Sequence, residues 1–201
     1  MTGRGAPRDE APGGLEPTGL AGLTVAWSWR VAIAVAGVAA GAGMAVRLGW
    51  RPALAAFVLF AVLSVVLMIV DVEQHRLPDV LTLPGLGGGA ALFVLDGSLT
   101  GSWQAVLHAV VSAAVVFAML FALAMLSPSG MGFGDVKLGA LIALFSGWIG
   151  YAAAAMAIAA GFVVGALVAL GLVLSRRRGL RDAIPMGPAL LVGAWLVMVT
   201  R

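Results

Sequence analysis

The chain has 201 residues, of which 62% are hydrophobic and only 10% charged, with a mean hydropathy of +1.08 and a net charge of +3. An ordinary soluble domain is about one-quarter charged, and so few charged side chains cannot clothe a soluble core, so the sequence reads as an integral membrane protein. The pI near 10.6 comes from basic residues at the ends of apolar runs, which points to membrane topology and away from nucleic acid.

Met1 to Leu23 is rich in Gly, Pro and charge without an apolar period, and residues 1–23 read as a disordered cytoplasmic tail. Residues 24–201 read as one membrane-embedded domain. A bilayer-crossing helix needs about 20 apolar residues, and the hydropathy pattern predicts an all-α polytopic bundle of about six to seven spans. They run approximately Thr24 to Val46, Pro52 to Val70, Leu77 to Leu95, Trp103 to Leu126, Val136 to Trp148, Gly150 to Ser175, and Ile184 to Thr200. The third is interrupted by Pro84, Gly85, Gly87, Gly88 and Gly89, which leaves open a full crossing or a re-entrant segment; the fifth is short.

With the amino terminus in the cytoplasm, nine of the 12 basic residues lie inside, among them Arg30, Arg76, Lys137 and the run Arg176-Arg177-Arg178, and three outside, Arg47, Arg51 and Arg201. That bias follows the positive-inside rule and places the polar breaks at Asp71, Asp135 and Arg176 on one cytoplasmic side. The expected location is a cytoplasmic (inner) membrane. Asp96, beside Gly97, falls on the other side and reads as a turn residue.

The two breaks that carry the chemistry are Asp71 to Asp79, after one apolar run, and Gly132-Phe133-Gly134-Asp135, before another. Two carboxylates sharing one site cannot both ionise; the pair then holds one proton, leaving one group to activate water and one to polarise a carbonyl. Gly132 and Gly134 let backbone approach an extended substrate, Phe133 packs on lipid or a neighbouring helix, and Pro78 starts the next helix. Each aspartate alone reads equally well as a capping or solvated residue, and Asp79 as a first-turn residue on the helix dipole. Glu73 and His75 read first as solvated loop residues. The chain has no cysteine, so disulfides, thiolate metal sites and a cysteine nucleophile are excluded. Of two histidines, His108 lies inside an apolar run where packing is the simpler role; neither a metal nor a cofactor is expected.

Three segments resemble the type IV prepilin peptidases, membrane aspartyl proteases with a G-x-G-D motif. They are Asp71 to Pro84 with its Leu81-Thr82-Leu83-Pro84 run, Gly130 to Leu138, and Ala183-Ile184-Pro185-Met186-Gly187-Pro188-Ala189-Leu190. The resemblance covers roughly Pro52 to Thr200. It implies that Asp71 and Asp135 are the catalytic pair, with Gly132, Gly134, Lys137, Pro78, Pro185, Gly187 and Pro188 as motif or substrate-positioning residues. It also implies cleavage of a basic leader from prepilin-like or pseudopilin precursors, after a glycine and ahead of an apolar helix. Longer members carry an amino-terminal region, often with paired cysteines, linked to methylation, so a peptidase-only form is expected here.

Two other readings stand beside it. A small ion- or proton-coupled transporter would use the carboxylates as relays, but both lie at helix ends on one side and no half-chain repeat is evident. A noncatalytic pilus or secretion assembly factor would use the glycine-rich helices only for packing. The sequence leaves the identity of the precursor and the oligomeric state open.

Overall fold

The computed structural model describes residues 20–74, 79–126, 132–175 and 186–201. Within them the chain forms α1 (Leu20–Leu48), α2 (Pro52–Gln74), α3 (Asp79–Thr100), α4 (Trp103–Leu126), α5 (Phe133–Ile149), α6 (Tyr151–Leu174) and α7 (Gly187–Thr200). Where no water can satisfy the backbone, helices are the means by which an open chain pairs its own N–H and C=O groups. α1, α2, α3, α4 and α6 are each long and apolar enough to cross a bilayer; α7 is a shorter apolar helix. The protein is an all-α, polytopic helical bundle.

α5 forms the axis. Every residue from Leu138 to Gly147 is buried, the pattern of a helix apolar on all sides and enclosed by others. The enclosure also accounts for its length, since a helix wrapped in protein has little lipid-facing surface to match. On one side Gly139 meets Leu120 of α4, and Gly147 lies over Ser112, where a Cβ would stand 2.7 Å from its neighbour. On another, Phe145 joins Phe57, Phe60 and Phe93, with centroid separations of 6.1, 4.5 and 5.4 Å. Trp148 and Trp195 extend this cluster to the end of α5 and to α7. α6 and α7 cross at Gly161 and Gly193 with their backbones touching; a Cβ on Gly161 would lie 2.7 Å from the Leu190 Cα. Small residues permit such approach where no hydrophobic drive pulls helices together.

Tight connections at Gly49 (φ 64°) and Gly101 (φ 76°), conformations that glycine adopts without a Cβ penalty, set α1, α2, α3 and α4 alternately up and down. α2 therefore ends, and α3, α5 and α7 start, at one end of the bundle. At the opposite end, Arg47 donates to the carbonyls of Met198 and Val199 at 3.1 and 2.9 Å, joining the end of α1 to the last turn of α7.

Several sequence expectations change. α1 begins at Leu20 where Thr24 was expected; residues 1–19 lie outside the described residues. The third span is uninterrupted: α3 runs through Pro84 and the glycines that follow it, because Gly85 and Gly89 press against Leu63 and Phe145 and the neighbours hold the helix together. α2 continues past Val70 through Asp71 to Gln74, since hydropathy marks where apolar surface ends and not where hydrogen bonding ends.

Asp96 is no turn residue. It lies within α3, fully buried, where Oδ1 accepts the Ala53 N–H at 3.1 Å and Oδ2 accepts the Ser102 hydroxyl at 2.7 Å, with Arg51 at 3.4 Å. One carboxylate thus satisfies an orphan donor at the start of α2 and ties it to the start of α4. Glu73 is helical and paired with Arg30 of α1, so it is not a free loop residue. His108 packs on Tyr151, ring centroids 4.3 Å apart, as its apolar setting suggested.

Candidate active site

Asp71 occupies the last turn of α2 and is buried, although it lies one residue from exposed Val72. Its Oδ2 accepts the Gly187 backbone N–H at 3.1 Å. Gly187 opens α7, where the first N–H groups have no intrahelical partner and the dipole favours an anion. Pro188, next in the helix, brings no N–H to that crowded start. Gly187 is required by space: a Cβ there would stand 2.7 Å from Asp71 Oδ2 and 3.1 Å from its carboxyl carbon. The third sequence motif therefore serves to seat the first.

Asp135 stands in the first turn of α5, ahead of the apolar run that begins at Val136. Its own N–H donates to the Gly132 carbonyl at 3.0 Å, and Gly132, in extended conformation, starts the helix. A Cβ on Gly132 would lie 3.7 Å from Asp135 Oδ2. Burial, and after it the charge of Asp71, push Asp135 up from 3.8 to about 6, against a backbone hydrogen bond at Gly132 that lowers it. Two carboxylates from α2 and α5 thus act on one another at one end of the bundle, and the second resists ionisation while the first is charged.

Lys137, two residues on, does not point to the pair. Its Nζ donates to Asp79 Oδ1 at 2.5 Å and lies 5.0 Å from the Phe133 ring centroid. It ties the first turn of α5 to the first turn of α3, on which Asp79 is half-exposed. Phe133 packs edge-on against Phe121 of α4, at 5.9 Å. Gly134 is half-buried in the same turn. Pro78, His75 and Pro185 lie outside the described residues.

Of the positions expected from the sequence, Asp71, Asp135, Gly132, Gly134, Gly187 and Pro188 come to one end of the bundle with Lys137 beside them. What sequence reasoning missed is the bond from Gly187 to Asp71 and the Arg30–Glu73 pair that flanks it. The proline beside Gly187 marked a helix start, which was the available signal for a free N–H.

The model of the type IV leader peptidase family matches residues 56–174. The chain is 36% identical over 152 residues to a protein of Aeromonas hydrophila named prepilin leader peptidase/N-methyltransferase, covering 75% of this chain and 50% of that one. Proteins of the same name from Pseudomonas putida and Neisseria gonorrhoeae are 31% and 29% identical, over 66% and 76% of this chain and 45% and 51% of their own. The chain spans about half the length of the curated relatives it matches. No solved structure matches it.

Proposed function

The chain belongs to the type IV leader peptidase family, and on that premise we propose that it is an aspartic endopeptidase that removes the basic leader from prepilin-like or pseudopilin precursors at the membrane edge. The observation that carries this reading is the bond from the Gly187 N–H at the start of α7, which holds the Asp71 carboxylate at the end of the bundle where Asp135 stands in the first turn of α5 and where burial and the charge of Asp71 raise Asp135. A carboxyl that keeps its proton beside one that has lost it is what hydrolysis by two aspartates requires.

In this mechanism Asp71 takes a proton from water as the water oxygen bonds to the scissile carbonyl carbon. Asp135 gives its proton to the carbonyl oxygen, whose C=O pair it has polarised. The tetrahedral intermediate collapses as the C–N bond breaks, the leaving nitrogen takes the proton held by Asp71, and the new carboxyl returns one to Asp135. The bond from Gly187 fixes the direction in which Asp71 faces the water; the small residues Gly132 and Gly134 leave room for an extended peptide beside Asp135.

The active end is assigned to the cytoplasmic side. Arg30 and Lys137 lie at that end while Arg47, Arg51 and Arg201 lie at the other, and the run Arg176-Arg177-Arg178 follows α6. Residues 24–201, with the first turn of α1 from Leu20, are read as the membrane-embedded peptidase domain.

The reading is tested with purified protein in detergent and a synthetic precursor made of a lysine-rich leader, a glycine and an apolar helix of about 20 residues. Mass spectrometry of the product is expected to show a new amino terminus directly after the glycine. An intact precursor after prolonged incubation with folded protein would contradict the assignment.

A further inference from the structure

Beside the catalytic end, α1, α2 and α7 enclose an open apolar groove of about 450 Å³. Its walls include Ile33, Ala36 and Ala40 of α1, Met68 of α2, and Trp195 and Val199 of α7. Met68 lies three residues before Asp71, less than one helical turn, and α7 is the helix whose first N–H holds Asp71. The groove therefore ends at Met68, within one helical turn of Asp71, and runs away from it toward Val199, near the opposite end. Trp195 Nε1 is already satisfied by the Ser64 hydroxyl, at 3.1 Å, so the groove offers apolar surface with no polar demand.

We infer that this groove receives the apolar helix of the substrate, the segment that follows the cleaved bond, with the bond itself at Asp71. The inference rests on the endopeptidase reading and adds to it the surface that aligns the precursor. A precursor cut at the membrane edge carries its apolar segment into the bilayer, and that segment must lie along the bundle beside the helices that carry and hold Asp71, α2 and α7. The α1 wall is built of small residues, so a helix can approach it closely, and the volume suits the side chains of one helix face. The charges at its head also match. Glu73 lies two residues beyond Asp71, about as exposed as its partner Arg30, at 38% and 41%; an exposed pair of this kind is weak, so a basic leader can replace Arg30 on Glu73. A second groove, of about 390 Å³ between α3, α4 and α5, lacks both helices that hold Asp71, and its mouth carries Lys137 already paired with Asp79.

The test compares wild type, Ala36→Phe and, in the second groove, Ala114→Phe. Each is given the helix-bearing synthetic precursor and a soluble peptide with the same leader and only three residues beyond the glycine. Ala36→Phe is expected to lower kcat/KM at least tenfold on the precursor and to leave the short peptide unchanged, which also shows that the variant is folded; Ala114→Phe should leave both unchanged. Loss on the precursor through Ala114→Phe alone would overturn the inference, as would equal cleavage of both substrates by all three proteins, the result expected if lipid fills the groove.

The absence of native cysteine gives an independent reading. Gly37, next to Ala36, contacts Val65, six residues or about 9 Å before Asp71 at 1.5 Å per residue. With copper phenanthroline added as the oxidant, Ala36→Cys combined with Asp135→Asn should form a disulfide with a precursor carrying cysteine about six residues beyond the glycine. No crosslink, or dimers of the enzyme through Ala36→Cys in place of it, would overturn the inference whether or not wild type cuts. Failure of wild type to cut either substrate counts against the endopeptidase reading alone.

Discussion

The Gly187 N–H and the Asp71 carboxylate, 116 residues apart in sequence, meet at 3.1 Å with no room between them for a methyl group. A helix amino terminus is thereby used to aim a carboxylate from another helix. Gly187→Ala should push Asp71 aside by a few tenths of an ångström or more and lower kcat at least tenfold, with the helical circular dichroism unchanged. A misplacement of about 1 Å costs about 100-fold, so a shift of part of that is set against a tenfold loss. Wild-type kcat in folded Gly187→Ala would remove α7 from the site.

Asp135 makes stability depend on pH in a definite direction. Its carboxyl is raised from 3.8 to about 6 in the folded state. Below 3.8 both states hold the proton and nothing is lost; as pH rises through about 6 the folded state must ionise a group that the unfolded state ionises more readily, and stability falls. Asp135→Asn, neutral at every pH, should therefore have a higher Tm than wild type at pH 7.5 and the same Tm at pH 3.5. For wild type, kcat/KM should decline on the alkaline side with an apparent pKa near 6, as the shared proton is lost. Thermal unfolding in detergent at the two pH values checks the first, and initial rates the second.

Asp96 is expected to matter for stability and not for chemistry. It lies at the far end from Asp71 and serves the starts of α2 and α4. Asp96→Ala leaves the buried Ala53 N–H without its acceptor and takes the Ser102 hydroxyl's partner away, while Arg51 keeps Thr100; it should cost about 1–3 kcal/mol, seen as a fall of several degrees in Tm. The rate per folded molecule should stay within twofold of wild type.

Lys137 tests the difference between touching substrate and holding the scaffold. If it acts through Asp79, Lys137→Gln and Asp79→Asn should reduce kcat/KM equally, by no more than about tenfold, and the double variant should be no worse than either. A loss specific to Lys137→Gln, expressed in KM, would show that it contacts the precursor.

The bundle and its two aspartates were legible because acids are conspicuous among apolar runs, and the span from Trp103 to Leu126 is found where hydropathy put it. Helix ends near the site were not, because α2 keeps its hydrogen bonds for four residues beyond the apolar stretch, carrying Asp71 into a helix. Asp96 was misread for a related reason: a buried acid looks like a surface turn when its partner, the Ala53 N–H, is 43 residues away. The central place of α5 was equally hidden, since a short apolar run gives no sign of how many neighbours surround it.

The most direct test of the account is cleavage of the synthetic precursor by wild type, Asp71→Asn, Asp135→Asn and Asp79→Asn, purified side by side. Cutting after the glycine by wild type and Asp79→Asn, with loss of at least 1,000-fold in the other two, is the predicted result, since each swap keeps size and removes an ionisable group. Cleavage at the wild-type rate by folded Asp71→Asn or Asp135→Asn would contradict it.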